Sequence, residues 1–129
     1  MIKEFIIDDY VIVKNKKFML NLNVYRNTHY HVLNKAKQQF MSNLIATNVE
    51  ILNYKFLAVK ITYTIIPHNK ALFDTQNIIS IVDRFFCDTL VAFRIIPDDN
   101  YNYVTYGAHS VAEIIKNKCK KIVIKCEFF

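Results

Sequence analysis

Five aspartates crowd one short segment of an otherwise basic chain: Asp74, Asp83, Asp88, Asp98 and Asp99, accompanied only by Arg84 and Arg94. Residues 74–99 carry a net −3, whereas the rest of the chain sets fifteen Lys/Arg against six acids, a net +9. A basic body attracts polyanions such as DNA or RNA. An acidic cluster inside it repels the same partner unless cations occupy the cluster. Divalent metal reconciles the two: Mg²⁺ takes hard oxygen ligands, keeps several waters and needs few carboxylates. Such an ion polarises a phosphate and lowers the pKa of an attacking water. Asp74, Asp88, Asp98 and Asp99 are the candidate metal ligands, with Mn²⁺ as a second possible ion. Asp74, Asp88 and Asp99 are also the candidate catalytic acids, and Arg84 is the cation expected to neutralise charge on a phosphate in the transition state.

Each of these residues has an ordinary structural use as well. Asp74 is a good helix N-cap. Arg84 and Asp88 stand four apart and fit a surface ion pair. Asp98-Asp99-Asn100 after Pro97 is common turn chemistry. The functional reading rests on the combination.

The elements that must position these groups can be read from periodicity. A strand is expected over 3–13, then a turn at Lys14–Lys17 into the short apolar run Phe18–Leu22. Asn34 caps an expected helix over 35–47, with Ala36, Phe40 and Leu44 on one face. Residues 54–66 alternate as a half-buried strand. Asp74 opens a second helix to about Phe93, followed by a short strand at Arg94–Ile96 and an extended run at Tyr101–Tyr106. Ser110 and Glu113 form a capping box for a third helix, and Ile122, Ile124, Cys126 and Phe128 alternate through a closing strand. The pattern predicts an α+β fold, a two-layer sandwich of a mixed sheet with two main helices, in one domain spanning 1–129. On the second helix, at about 100° per residue from Asn77, Arg84 falls near −20° and Asp88 near +20°. Asp83, near about −120°, is turned off that stripe. If the Asp98-Asp99 turn folds back beside it, the remaining carboxylates converge.

The stretch from Asn21 to His31 has neither helical nor strand periodicity and is expected to be a loop. It interleaves Arg26, His29, His31 and nearby Lys35 with Tyr25 and Tyr30. Basic groups meet phosphates and aromatics stack on exposed bases, so it suits nucleic-acid contact. Asn23, Tyr25, Arg26, His29, Tyr30, Lys35, Lys70 and Asn77 are the candidate nucleic-acid-binding residues. His29 and His31 could form half of a metal site, but no further His/Cys cluster completes it.

The three cysteines, Cys87, Cys119 and Cys126, include no CxxC pair and lie in apolar runs, so buried reduced thiols are expected. No stretch is apolar enough for a membrane span, and the MIKEF start does not read as a signal peptide. The expected setting is cytoplasmic, with no membrane partner and no small-molecule cofactor.

At this point the chain resembles the RusA family of Holliday junction resolvases, endonucleases common in phages and prophages. The similarity covers roughly residues 18–106 in three blocks. These are Asn21-Leu22-Asn23-Val24-Tyr25-Arg26 with Tyr30, Lys35 and Ala36; the run 54–66 leading to Asp74-x-x-Asn77; and Asp88-Thr89-Leu90 followed by Ile95-Ile96-Pro97-Asp98-Asp99. The resemblance implies a homodimer that makes paired Mg²⁺-dependent nicks across branched DNA. It implies metal binding by Asp74 and by the Asp98-Asp99 pair, Asp99 foremost. Gln76 stands where some members carry a second acid, Arg84 corresponds to a lysine common in the family, and Asp88 is placed to compensate for the missing charge. A non-cutting nucleic-acid-binding module of the same fold is the alternative that Gln76 suggests.

Overall fold

In the computed structural model, which describes residues 1–112 and 120–129, the chain is α+β. The expected strand over 3–13 is two strands in different sheets, β1 (Ile2–Asp8) and β2 (Tyr10–Val13). Asp9, between them, ends the first ladder. β2 returns as β3 (Lys16–Met19) through a two-residue turn at Lys14 and Asn15, both with left-handed backbone (φ 51° and 64°). That mirror-image turn matches the right-handed twist of the paired strands.

The supposed loop 21–31 is largely helical. Asn21 caps α1 (Leu22–Arg26) through its side-chain oxygen, and α2 runs over Tyr30–Thr47, capped by His29. A short 3₁₀ turn (Val49–Asn53) then leads to β4 (Val59–Ile66), which starts five residues later than the alternation predicts. The expected helix from Asp74 is α3 (Thr75–Ala92). Its end explains why no strand forms at 94–96. Phe93 is the C-cap and Arg94 adopts φ 58°; the Arg94 N–H donates to the Val91 carbonyl and the Ile95 N–H to that of Leu90. This is a left-handed helix stop with arginine where glycine is usual, and it turns Ile95 and Ile96 inward to full burial.

Two short strands follow, β5 (Val104–Tyr106) and β6 (Ser110–Val111), and β7 (Lys121–Phe128) closes the fold. The main sheet runs β1-β7-β4-β5, with β6 also on β4; β4 is antiparallel to β7 and parallel to β5 and β6. α3 is the crossover between the parallel strands β4 and β5. Ser110 belongs to β6 rather than to a helix cap, and the rest of the expected third helix, with Glu113 and Cys119, lies outside the described residues.

One face of the sheet forms the core. Val59, Ile61, Tyr63 and Ile65 of β4 and Ile122, Ile124, Cys126 and Phe128 of β7 pack with Phe40 and Leu44 of α2 and Phe85 and Phe86 of α3. Phe86 meets Phe5 edge-on at 5.2 Å and Phe85 meets Phe40 at 5.7 Å. Such buried rings each stabilise the fold by about 3–5 kcal/mol relative to alanine, and they fix α3 on the sheet. Gly107, the only glycine, passes so close to β4 that a Cβ there would lie 2.3 Å from Thr62 Oγ1. Among the described residues no helix is long and apolar enough to cross a membrane.

Candidate active site

Because α3 buries one side on the sheet, its other side faces outward beside β5. Ser80, Asp83, Arg84, Cys87 and Asp88 from that side line a cleft of about 370 Å³ with Asp99 from the following turn and Tyr106 from β5. The Asp98-Asp99 turn thus folds back beside the helix, and brings Asp99 to the side where Arg84 and Asp88 stand. Asp98 itself is spent on the turn: its two oxygens accept the Asp99 N–H at 2.7 Å and the Asn100 side-chain N–H at 3.0 Å.

Asp83 belongs to this cleft, against the sequence expectation that the helix turns it away. It stands at the border between the buried and outward sides of α3, where the sheet reaches it. The Tyr63 hydroxyl donates to one carboxylate oxygen at 2.6 Å, and the Tyr106 hydroxyl to the other at 2.7 Å. The Cys87 thiol, one helical turn on, lies 3.4 Å from the first oxygen. Burial pushes the Tyr63 and Tyr106 hydroxyls and the Cys87 thiol well up, followed by the Asp83 charge for Tyr63 and Cys87 and by the hydrogen bond to Asp83 for Tyr106, so all three remain protonated donors. The signal that could have exposed Asp83 is Tyr63: a tyrosine alternating into a core needs a partner for its hydroxyl.

The other cleft groups are engaged from α1 and α2. Lys37 lies 3.5 Å from Asp88, and the Arg84 guanidinium sits over the Tyr25 ring at 5.4 Å. Lys37 is a second group that sequence reading passed over. Among the described residues no hydrogen bond or ion pair engages the Asp99 carboxylate, which is exposed.

Asp74 does not join them. It caps α3, accepting the Gln76 N–H at 3.0 Å, and lines a separate cleft of about 190 Å³ with Asp9, Asn21, Asn23, Asn77 and Lys120. Nine residues of helix, about 13 Å along its axis, separate it from Asp83. The anticipated convergence of Asp74 with Asp99 and Asp88 is therefore not what the fold builds. Asp9, nine-tenths buried, is a further residue the sequence reading left aside; burial raises its pKa, opposed by the Lys120 charge.

The expected nucleic-acid residues divide among these places. Asn23 and Asn77 are with Asp74, while Tyr25 packs against Phe85 under Arg84. His29, Tyr30 and His31 form a ring cluster at the start of α2 with centroids 4.1–4.8 Å apart, next to the exposed Arg26. Lys35 lies on an exposed side of α2, and Lys70 lies apart, in the connection before α3 beside Leu72 and Phe73.

Among the described residues no group of three or more His, Cys, Asp or Glu gathers tightly enough to hold an ion. Mg²⁺ needs less, being commonly held by one or two carboxylates with waters and substrate phosphate. Asp88 and Asp99 supply that smaller donor set from one cleft. Each Asp83 oxygen accepts one tyrosine hydroxyl, which uses half of the carboxylate's lone pairs. No family model matches the chain, and no curated protein matches it at a significant level.

Proposed function

We propose that this domain is a Mg²⁺-dependent, structure-selective endonuclease that cuts branched DNA by paired nicks, as the RusA-like resemblance of its sequence implies. The observation that carries the reading is the meeting of Asp88, Asp99 and Arg84 in one cleft of an otherwise basic chain. Asp99 and Asp88 would hold the ion, which when bound supplies polarisation of the scissile phosphate and a more acidic attacking water. Arg84 is placed to meet charge building on the phosphate oxygens, and the Tyr25 ring beneath it limits the positions it can take. Tyr106 donates its hydroxyl hydrogen bond to Asp83, so its oxygen keeps lone pairs to offer toward the cleft. Asp88 must exchange Lys37 for the ion. A homodimer would present two such clefts, one for each nicked strand, and the expected setting is cytoplasmic.

A second reading, a DNA-binding module of the same fold that does not cut, has its own support. Both Asp83 oxygens accept tyrosine hydroxyls, Asp88 is paired, and Asp74 stands in another cleft. The two readings separate on purified protein incubated with a labelled four-way junction in Mg²⁺, Mn²⁺ or EDTA. The endonuclease predicts paired nicks with either metal and none in EDTA. Junctions bound but left uncut in both metals would sink it in favour of the second reading.

A further inference from the structure

The charge of the chain is not spread over its surface. Between Asp9 and Glu50 there is no acidic residue, and residues 10–49 hold Lys14, Lys16, Lys17, Arg26, Lys35 and Lys37. These six account for the whole net charge of +6, since the remaining eleven Lys/Arg balance the eleven Asp/Glu. The segment is also one block in space: the β2–β3 hairpin packs on α2, and α1 and α2 pack on α3.

Within this block the hairpin tip overhangs α2 to form a groove of about 380 Å³, lined by Lys14, Asn34, Lys35, Gln38, Gln39 and Ser42 above Ile12 and Val13. The α2 members recur at helical spacing on the side opposite Phe40 and Leu44, so the helix wall of the groove carries polar side chains along its length. Lys14 and Lys35 both line this groove, and Lys14 holds the Lys35 pKa down. Among the described residues no acid pairs with Lys14, Lys16, Lys35 or Lys17, the last lying over the Tyr10 ring at 4.4 Å. Two like charges brought together over donors, with no acid between them, make a place for an anion. The block ends at the acidic cleft, where Lys37 meets Asp88 and Tyr25 underlies Arg84.

We infer that the groove between the β2–β3 hairpin and α2 is a track for a nucleic-acid phosphodiester backbone, with Lys14 and Lys35 as its central phosphate contacts and Lys16 and Lys17 flanking them. This inference rests on the proposed DNA substrate, and it adds a surface beyond the cutting cleft that would hold an arm of the branched molecule. The contacts read charge rather than sequence, because amides and ammonium groups here meet the backbone and not base edges.

Binding of a fluorescent four-way junction in Ca²⁺, followed by anisotropy across a salt series, tests it. Each lost phosphate contact lowers the slope of log K against log salt by about 0.9. Lys14→Ala/Lys35→Ala should therefore lower the slope by about 1.8, and Lys14→Arg/Lys35→Arg should restore it. Lys60→Ala/Lys125→Ala, which removes the same charge from the opposite face of the sheet, should leave it unchanged. Equal losses in the two alanine pairs, or no loss from Lys14→Ala/Lys35→Ala while wild type binds, would overturn the inference. So would absence of junction binding together with lysine-dependent binding to phosphatidylserine vesicles, which would assign the groove to a membrane. If wild type binds with the expected slope but does not cut in Mg²⁺, the nuclease reading fails and the track stands.

Discussion

Tyr63 and Asp83 are joined by a 2.6 Å hydrogen bond that ties the centre of β4 to the outward side of α3. The bond joins the core to the cleft, because Tyr63 is fully buried and Asp83 lines the cleft wall. Burial decides its worth. Tyr63→Phe should cost about 1.5–3 kcal/mol, the range for a hydrogen bond to a charged group. Tyr106→Phe, which removes the equivalent bond at an exposed position, should cost less than about 1 kcal/mol, because water replaces it. Asp83→Ala, which strands both hydroxyls, should cost about 2–4 kcal/mol. Urea denaturation midpoints check all three, and equal losses for the two tyrosines would contradict the assignment.

Gly107→Ala should destabilise the fold by about 1–3 kcal/mol, the cost of forcing an extra methyl into a packed position. The added carbon meets the Thr62 hydroxyl, so Thr62→Ala in the same chain should recover most of the loss. A double-mutant cycle by thermal or urea unfolding measures the coupling, and strictly additive losses would show that the two positions do not touch.

Asp9 predicts a pH dependence of stability. Burial raises its folded pKa above the unfolded value near 3.8, so the folded state holds this proton more tightly. Stability contributed at Asp9 is then present below the unfolded pKa and is lost as pH rises through the folded one. Asp9→Asn keeps the shape without the charge, so its stability relative to wild type should increase over that same rise in pH. Unfolding of both proteins from pH 3.5 to 8 tests this, and a constant difference between them would contradict it.

Much of the architecture was legible because it follows from periodicity. The alternation through Ile61, Tyr63 and Ile65, the Asp74 cap with its apolar helix, and the closing run from Ile122 to Phe128 all mark their elements directly. The start of α2 was hidden because its first turn, Tyr30 and His31, is exposed and carries no apolar stripe, and because its cap is the unusual His29. The break at Asp9 was hidden because the apolar pattern runs across it, although a buried acid within such a run was a cue. In the site, helical angle placed Arg84 and Asp88 together but drew the polar face too narrowly. Asp83 was set aside because its partners come from β4 and β5, which no local spacing reveals. Asp74 is grouped with Asp99 by the local clustering of acids and by the RusA-like resemblance, neither of which measures α3, whose length keeps them in different clefts.

The central claim, that the Asp99 cleft performs the chemistry, is tested most directly by single-turnover cleavage of a four-way junction in Mg²⁺ by wild type and Asp99→Asn, with junction affinity measured in Ca²⁺. The account predicts that Asp99→Asn cuts at least about 100-fold more slowly, a loss in keeping with removal of a group that stabilises transition-state charge, while binding the junction as tightly as wild type. Cleavage at the wild-type rate by Asp99→Asn, above all if Asp74→Asn abolishes it, would contradict the account and place the chemistry at the amino end of α3.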